Sequence, residues 1–247
     1  MTHTVFKPFS LQGKTILVTG ASSGLGRHIA IRCAQRGARM VITGRDAARL
    51  QETYAQLPGD THVQVLADLT QATDRDRIAQ VAPCVDGLMH CASFQKHSPI
   101  RQLTEQLMTD MYSVNFLAPV MLTQRLLQAD AIAERGSIIF MLSTAAHIGT
   151  CGLGPYSAMK SGLIGIIKCL AMEQAKRKIR VNGISPSTIA TLIRDTHQDL
   201  REEQKAHHPL GLGTLDDVAN GAIYMLSDAS RWVTGTSLVM DGGMVVQ

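Results

Sequence analysis

Short, nearly uninterrupted apolar runs alternate along the chain with longer stretches in which apolar residues recur every three or four positions. The short runs are K-T-I-L-V-T at 14–19, A-R-M-V-I-T at 38–43, Val63 to Ala67, Val85 to His90, G-S-I-I-F-M-L at 136–142, Ile179 to Ser185 and Ser237 to Met240. Runs of this length, rich in β-branched residues, read as strands buried on both faces. Helical spacing follows Gly26, resumes after Gln71, fills Thr104 to Asp130, begins again at Pro155 and continues to about Lys178, and returns over Leu215 to Ser227. Strands that alternate with helices throughout imply an α/β fold, a doubly wound parallel sheet of about seven strands flanked by helices. No Ser/Pro-rich linker or charge block divides residues 1–247, so a single domain is expected. The polar stretch 187–213, with three histidines and Gly211-Leu-Gly213 at its end, reads as a mobile lid over a substrate.

Composition narrows the class. A hydrophobic fraction of 45% with 18% charged residues describes an ordinary globule. The net charge of +4 is mild, and the one dense basic cluster, K-R-K-I-R from Lys176, fits a helix end better than a nucleic-acid footprint. Five scattered cysteines without a C-x-x-C argue against a disulfide framework or a zinc site, and adjacent His207 and His208 cannot share a helix face as ligands. No metal is expected. The longest helical apolar stretch, 162–172, is interrupted by Lys168 and is too short for a bilayer, and no signal peptide is visible. A cytoplasmic protein with neither membrane nor nucleic-acid partner is expected.

Candidate chemistry gathers where strands end. Gly20-Ala-Ser22-Ser23-Gly24-Leu25-Gly26 lies between the first strand and a helix N-terminus. There, outward-pointing N–H groups and missing Cβ atoms suit a pyrophosphate. The second strand ends at Gly44-Arg45-Asp46. A carboxylate at the strand end would select NAD through the ribose 2′-OH, whereas an arginine accommodates a 2′-phosphate. Arg45 therefore favours NADP(H), with NAD(H) possible, while Asp46 is read as an N-cap. Asp68, followed by Leu69, either accepts from an adenine amino group or caps the next helix. The small residues Cys91 and Ala92 let backbone pass close to a ribose.

A second constellation centres on residues 143–160. Pro155 suits the first turn of a helix, which sets Tyr156 and Lys160 one above the other on one face. An ammonium there lowers a phenol's pKa toward the working range of an acid or base. Ser143 closes the preceding strand, where its hydroxyl could hold a carbonyl oxygen. Asn115 lies inside a long helical pattern, a costly place for an amide unless it is paired or has a task.

T-G-A-S-S-G-L-G at 19–26, D-L-T at 68–70, Asn115, Ser143, Y-S-A-M-K at 156–160 and W-V-T-G-T-S-L-V-M-D-G-G at 232–243 together resemble the classical short-chain dehydrogenases/reductases, in particular 3-oxoacyl-[acyl-carrier-protein] reductases. The likeness spans the chain. It implies a Rossmann-like sheet, usually a homotetramer packed through two long helices or otherwise a dimer, and hydride exchange between a nicotinamide cofactor and a small ketone or secondary alcohol, which a carrier could present. It also implies that Tyr156 is the acid or base, that Lys160 tunes it and binds the nicotinamide ribose, and that Ser143 holds the substrate oxygen. Asn115 would fix a water that links Lys160 to solvent. Pro186, Ile189 and Thr191 match positions near the nicotinamide. Two departures stand out: Cys91-Ala92-Ser93 replaces the usual N-A-G, and Ser187 replaces a glycine after Pro186. A sugar, nucleotide-sugar or polyol is the alternative substrate, and a silent nucleotide-sensing regulator or a structural subunit the alternative in kind.

Overall fold

The computed structural model describes residues 7–82, 84–190 and 204–246. Seven strands form one sheet: β1 (Thr15–Thr19), β2 (Arg39–Gly44), β3 (Val63–Leu66), β4 (Val85–His90), β5 (Ile132–Met141), β6 (Arg180–Pro186) and β7 (Ser237–Met240). Their order is β3-β2-β1-β4-β5-β6-β7, and each adjacent pair is parallel. Among the described residues the helices are α1 (Gly24–Gln35), α2 (Ala47–Tyr54), α3 (Ala72–Val81), α4 (Glu105–Tyr112), α5 (Ala118–Gln128), α6 (Gly154–Glu173) and α7 (Leu215–Leu226).

The continuous apolar runs are explained by burial on both faces, since successive side chains point to opposite sides of a strand. Ile16, Val18, Met40, Ile42, Met89 and Ile139 face α1 and α7, where they meet Ile29, Ala30, Cys33, Val218 and Ala222. Leu17, Val41, Leu88, Ile138, Phe140 and Val181 face the other way, against Ile78 of α3, Leu122 and Leu126 of α5, and Leu163 and Ile167 of α6. The strand order reverses between β1 and β4. At such a switch point the flanking helices leave in opposite directions and open a crevice at the strands' C-terminal ends.

Three boundaries differ from the sequence reading. β5 begins earlier, at Ile132, because its first residues pair with Val85 before a register irregularity between Val85 and Gly87. The helix expected to reach about Lys178 ends at Glu173; a 3₁₀ turn, Ala175–Arg177, follows, and Lys178 takes a left-handed conformation (φ 57°) that turns the chain into β6. The helical stretch 104–130 is three pieces on one path: α4, a π-turn over Ser113–Leu117, and α5. Pro119 accounts for the wide turn. It has no N–H to offer the Asn115 carbonyl one α-turn back, and the Ala118 N–H instead reaches Ser113.

β6 is tied to α7 by Arg180. Its buried guanidinium donates to the carbonyls of Met225 (2.8 Å) and Ser227 (3.2 Å) and to Ser230 Oγ (2.7 Å). A cation at a helix C-terminus complements the dipole and satisfies carbonyls that the helix leaves open. Arg180→Met should keep the apolar stem yet remove three charge-assisted hydrogen bonds, leaving the two carbonyls only the weaker hydroxyl donors of Ser137 and Ser230. The expected loss is about 3 kcal/mol in urea unfolding.

Candidate active site

The turn after β1 is shaped by contact. Gly20 has φ +65°, and a Cβ there would lie 2.7 Å from the Ala92 backbone, so only glycine fits between the ends of β1 and β4. Thr19 fixes the same junction: its buried hydroxyl accepts from the N–H groups of Cys91 (3.1 Å) and Ala92 (3.2 Å). Ser23 is the N-cap of α1 but gives it no side-chain hydrogen bond, and the first turn holds no acidic residue. The helix's leading N–H groups, at Gly24, Leu25 and Gly26, are thereby left to an anion.

A cleft of about 940 Å³ runs from this turn along the strand ends. At one end it is walled by Ser22, Gly44, Arg45, Arg49, Asp68 and Leu69. A Cβ at Gly44 would meet Ser22 Oγ, so a side chain at the end of β2 would require that hydroxyl to turn away. Asp46 is the N-cap expected of it, its Oδ1 accepting from Arg49 N at 3.0 Å. Asp68 holds its own turn, with Oδ1 accepting from the N–H (3.0 Å) and hydroxyl (2.8 Å) of Thr70, while Asp74 takes its backbone N–H (2.7 Å). It thus secures the entry to α3 and also lines the cleft. Arg49 was missed by sequence reasoning. Its signal was its place three residues after the N-cap, in the first turn of a helix that starts at the cleft. The fit to a dinucleotide phosphate is chemical: free helix-terminal N–H groups, two guanidinium side chains and the buried Thr43 hydroxyl, which has no hydrogen-bond partner among the described residues.

Ser143, Tyr156 and Lys160 stand together on the opposite wall with Cys91, Ser93, Phe94, Pro186 and Ile189. α6 starts at Gly154 with Pro155 in its first turn, which brings Tyr156 and Lys160 to its buried face. Lys160 Nζ donates to the Met141 carbonyl (2.7 Å) and lies 5.5 Å from the centre of the Tyr156 ring. Burial pushes the Lys160 ammonium down to about 8, against an opposing pull from Cys91. Tyr156 departs from the sequence expectation. Its pKa stands above the ordinary value because burial outweighs the lowering influence of the Ser93 and Ser143 hydroxyls.

Asn115 is not alone in its helix. Oδ1 accepts from Ser93 Oγ (2.8 Å) and the Phe94 N–H (3.0 Å), and Nδ2 donates to the carbonyls of Phe94 (2.7 Å) and Met111 (3.1 Å). The amide clamps the strand that leaves β4 against the π-turn. His90 is a packing group: it stacks on Phe140 at 4.8 Å, bonds Thr123 Oγ1 at 2.8 Å, and is pushed down to about 3 by burial.

The far end of the cleft is lined by Phe94, Gln95, Thr144, Thr150 and Leu153, by Thr188 and Gln204 from the stretch expected to form a lid, and by Met244, which no local pattern announced. Ser187 takes up the space beside it, with Oγ 2.8 Å from His208 Nε2 and 3.0 Å from Met244 Sδ. Thr191 and much of the expected lid, 191–203, lie outside the described residues. Among the described residues no group of three His, Cys, Asp or Glu is gathered as a metal site needs, and no helix is long and apolar enough to cross a membrane.

The profile of a family described as "Enoyl-(Acyl carrier protein) reductase" matches residues 20–245. A 3-oxoacyl-[acyl-carrier-protein] reductase of Bos taurus is 34% identical over 238 residues, covering 94% of this chain and 98% of its own. A D-threitol dehydrogenase of Mycolicibacterium smegmatis is 30% identical over 248 residues, covering 97% and 95%. A crystal structure of a dehydrogenase/reductase from Sinorhizobium meliloti superposes with a TM-score of 0.90 at 30% identity, covering 96% and 97%.

Lys160 makes stability depend on pH. Folded, it releases its proton near 8; unfolded, near 10.5. Between those values the unfolded chain holds the extra proton, so stability rises with pH through that window. Below it both forms are protonated and the burial penalty is fully felt. Lys160→Met should abolish the rise. Urea melts at pH 7.5 and 10 should find wild type gaining on the order of 2 kcal/mol relative to the variant.

Proposed function

The chain belongs to the short-chain dehydrogenase/reductase family, and from that premise we propose an NADP(H)-dependent oxidoreductase that interconverts a ketone and a secondary alcohol. One observation carries this reading: Ser143, Tyr156 and Lys160 share one wall of the cleft whose floor is the glycine turn. The cofactor, when bound, supplies or accepts the hydride.

The chain's own residues have these proposed tasks. The first-turn N–H groups of α1 hold the pyrophosphate, and Arg45, supported by Arg49, meets a 2′-phosphate through its planar donor fork. Thr19, by gripping Cys91 and Ala92, keeps the backbone close to the nicotinamide ribose; Lys160 reaches the same ribose. Leu69 borders the adenine end, and Pro186 and Ile189 the nicotinamide end, with Thr191 assigned there from sequence alone. Ser143 donates to the substrate oxygen and fixes its direction. Tyr156 then gives that oxygen its proton in reduction, or takes it in oxidation. A raised pKa in the free enzyme suits the acid, because the phenol arrives protonated at neutral pH. Asn115, whose side chain is saturated by protein, would bind a relay water through the backbone carbonyl that Pro119 leaves free.

The substrate reading favoured is a 3-oxoacyl thioester, reduced at its keto group. Apolar Phe94, Leu153 and Met244 at the far end of the cleft support an acyl chain. A polyol or sugar is the second reading, supported by Gln95, Thr150 and Gln204 in the same wall and by the threitol-oxidising relative. We further propose a homo-oligomer, tetramer or dimer, through the long helices, on which Met108, Tyr112 and Met172 stay exposed. A cytoplasmic setting is supported by the five free cysteines.

Calorimetry at fixed salt should find NADPH bound at least tenfold tighter than NADH, about 1.4 kcal/mol, and Arg45→Ala should erase the difference. Equal affinities in wild type would refute the phosphate assignment. With NADPH and an acetoacetyl thioester, or NADP⁺ and D-threitol, Tyr156→Phe should lower kcat by roughly 10²–10⁴ while cofactor affinity holds. Full turnover by that variant would remove Tyr156 from the chemistry. Cofactor binding with no turnover of any carbonyl by the wild type would favour a sensing role.

A further inference from the structure

Gln204 lines the far end of the cleft, half-buried, and is held there from two sides. Its backbone carbonyl lies 2.5 Å from His208 Nδ1. A carbonyl only accepts, so the ring proton sits on Nδ1, and Nε2 of the neutral imidazole is left to accept from Ser187 Oγ at 2.8 Å. The thioether of Met244, 3.0 Å from the same hydroxyl, is a weaker acceptor and cedes that proton to the ring. Ser187 directly follows β6, so the strand end anchors the main chain at Gln204 through the buried His208 ring. The next residue fixes the side chain: Thr188 Oγ1 donates to Gln204 Oε1 at 2.8 Å. With Oε1 engaged, the orientation of the amide is set. Its Nε2 carries two N–H groups that find no acceptor among the described residues.

We propose that Gln204 determines substrate specificity: its amide N–H donates to a second oxygen of the substrate, separate from the one that Ser143 and Tyr156 hold. The inference rests on the oxidoreductase reading and narrows its substrate. Among the described residues, the cations that line the cleft are Arg45 and Arg49 at the opposite end and Lys160, 5.5 Å from the Tyr156 ring. None stands in the wall with Gln204. A carboxylate there would be desolvated without a counter-charge, so the second oxygen belongs to a neutral group. The substrate class is thus a ketone with a neutral oxygen close by, either the carbonyl of a thioester or ester, or a hydroxyl. Keto acids and plain alkyl ketones fall outside it. The 3-oxoacyl and polyol readings both fall inside. A donor already fixed by protein loses little freedom on binding, and a substrate that lacks the acceptor would take water from the amide without replacing the bond. Ser187 and Thr188 are positioning residues in this scheme. A glycine at 187 would leave His208 Nε2 without its donor and slacken the hold on Gln204.

The test compares ketones that differ only at that oxygen. One pair is the acetoacetyl thioester of N-acetylcysteamine and the matching thioether, in which a methylene replaces the thioester carbonyl. The other pair, hydroxyacetone and acetone, covers the polyol reading. Members of a pair differ in intrinsic reactivity, so the readout is the change in their kcat/KM ratio, with NADPH, from wild type to variant. Gln204→Met, similar in size but without the donor, should cut the ratio of at least one pair about tenfold, equivalent to about 1.4 kcal/mol. The change should appear in KM of the oxygen-bearing ketone more than in kcat. Ser187→Gly and Thr188→Val should lower the same ratio by a smaller factor while NADPH affinity holds. A merely structural defect would depress both members alike and leave the ratio where it was. Ratios unchanged in Gln204→Met for both pairs would overturn the proposal, as would a fall in Gln204→Met with no change in Ser187→Gly and Thr188→Val. Turnover of neither pair by wild type, or full turnover by Tyr156→Phe, defeats the underlying reading and this proposal with it. Turnover that needs Tyr156 yet ignores Gln204 defeats only the role of Gln204.

Discussion

The cleft depends on a single buried amide. Asn115 spends both lone-pair directions and both N–H bonds on protein atoms, and three of its four partners belong to Ser93 and Phe94. An amide in that position would be a liability were any bond missing, because an unsatisfied buried polar group costs more than a made one contributes. Fully satisfied, it converts the loop after β4 from an open connection into a fixed wall. The π-turn is the backbone's part of the same arrangement. Widening the helix at Ser113–Leu117 turns the Asn115 side chain toward the strand end, and Pro119 removes the competing α-helical bond.

A matching grip lies across the switch point. The Thr19 hydroxyl takes two consecutive N–H groups, and Gly20 lets the β1 turn lie against Ala92 without a Cβ between them. The two strand ends that the topology separates are thus locked at van der Waals distance. Between these two anchors, the proposed hydride-transfer region is framed by backbone whose position does not rely on the loops at the far end. That division of labour fits a fold on which the chemistry stays in place while the substrate end varies.

Much of this was legible in the sequence, for physical reasons that differ by element. The strands were readable because a strand buried on both faces must be apolar throughout, as Ile16-Leu17-Val18 and Ile138-Ile139-Phe140 are. The glycine turn and the start of α6 were readable because Gly20 and Pro155 carry their backbone preferences with them. What stayed hidden was relational. A helical pattern contains nothing that distinguishes an α-turn from a π-turn when the apolar spacing survives it, so residues 104–130 read as one helix. The direction of the Tyr156 shift was hidden as well, since the spacing of a lysine says nothing of how dry its surroundings are. Met244 reaches the cleft through tertiary packing alone.

Cys91 carries one more consequence. Its thiol lies in the wall of the cleft, yet burial pushes its pKa up to about 12. Since only the thiolate attacks carbon or peroxide, a thiol of that acidity offers on the order of one reactive molecule in a hundred thousand at neutral pH. The replacement therefore adds sulfur to the site without adding a nucleophile. The wall is chemically quiet: the cleft gains a cysteine that stays a thiol.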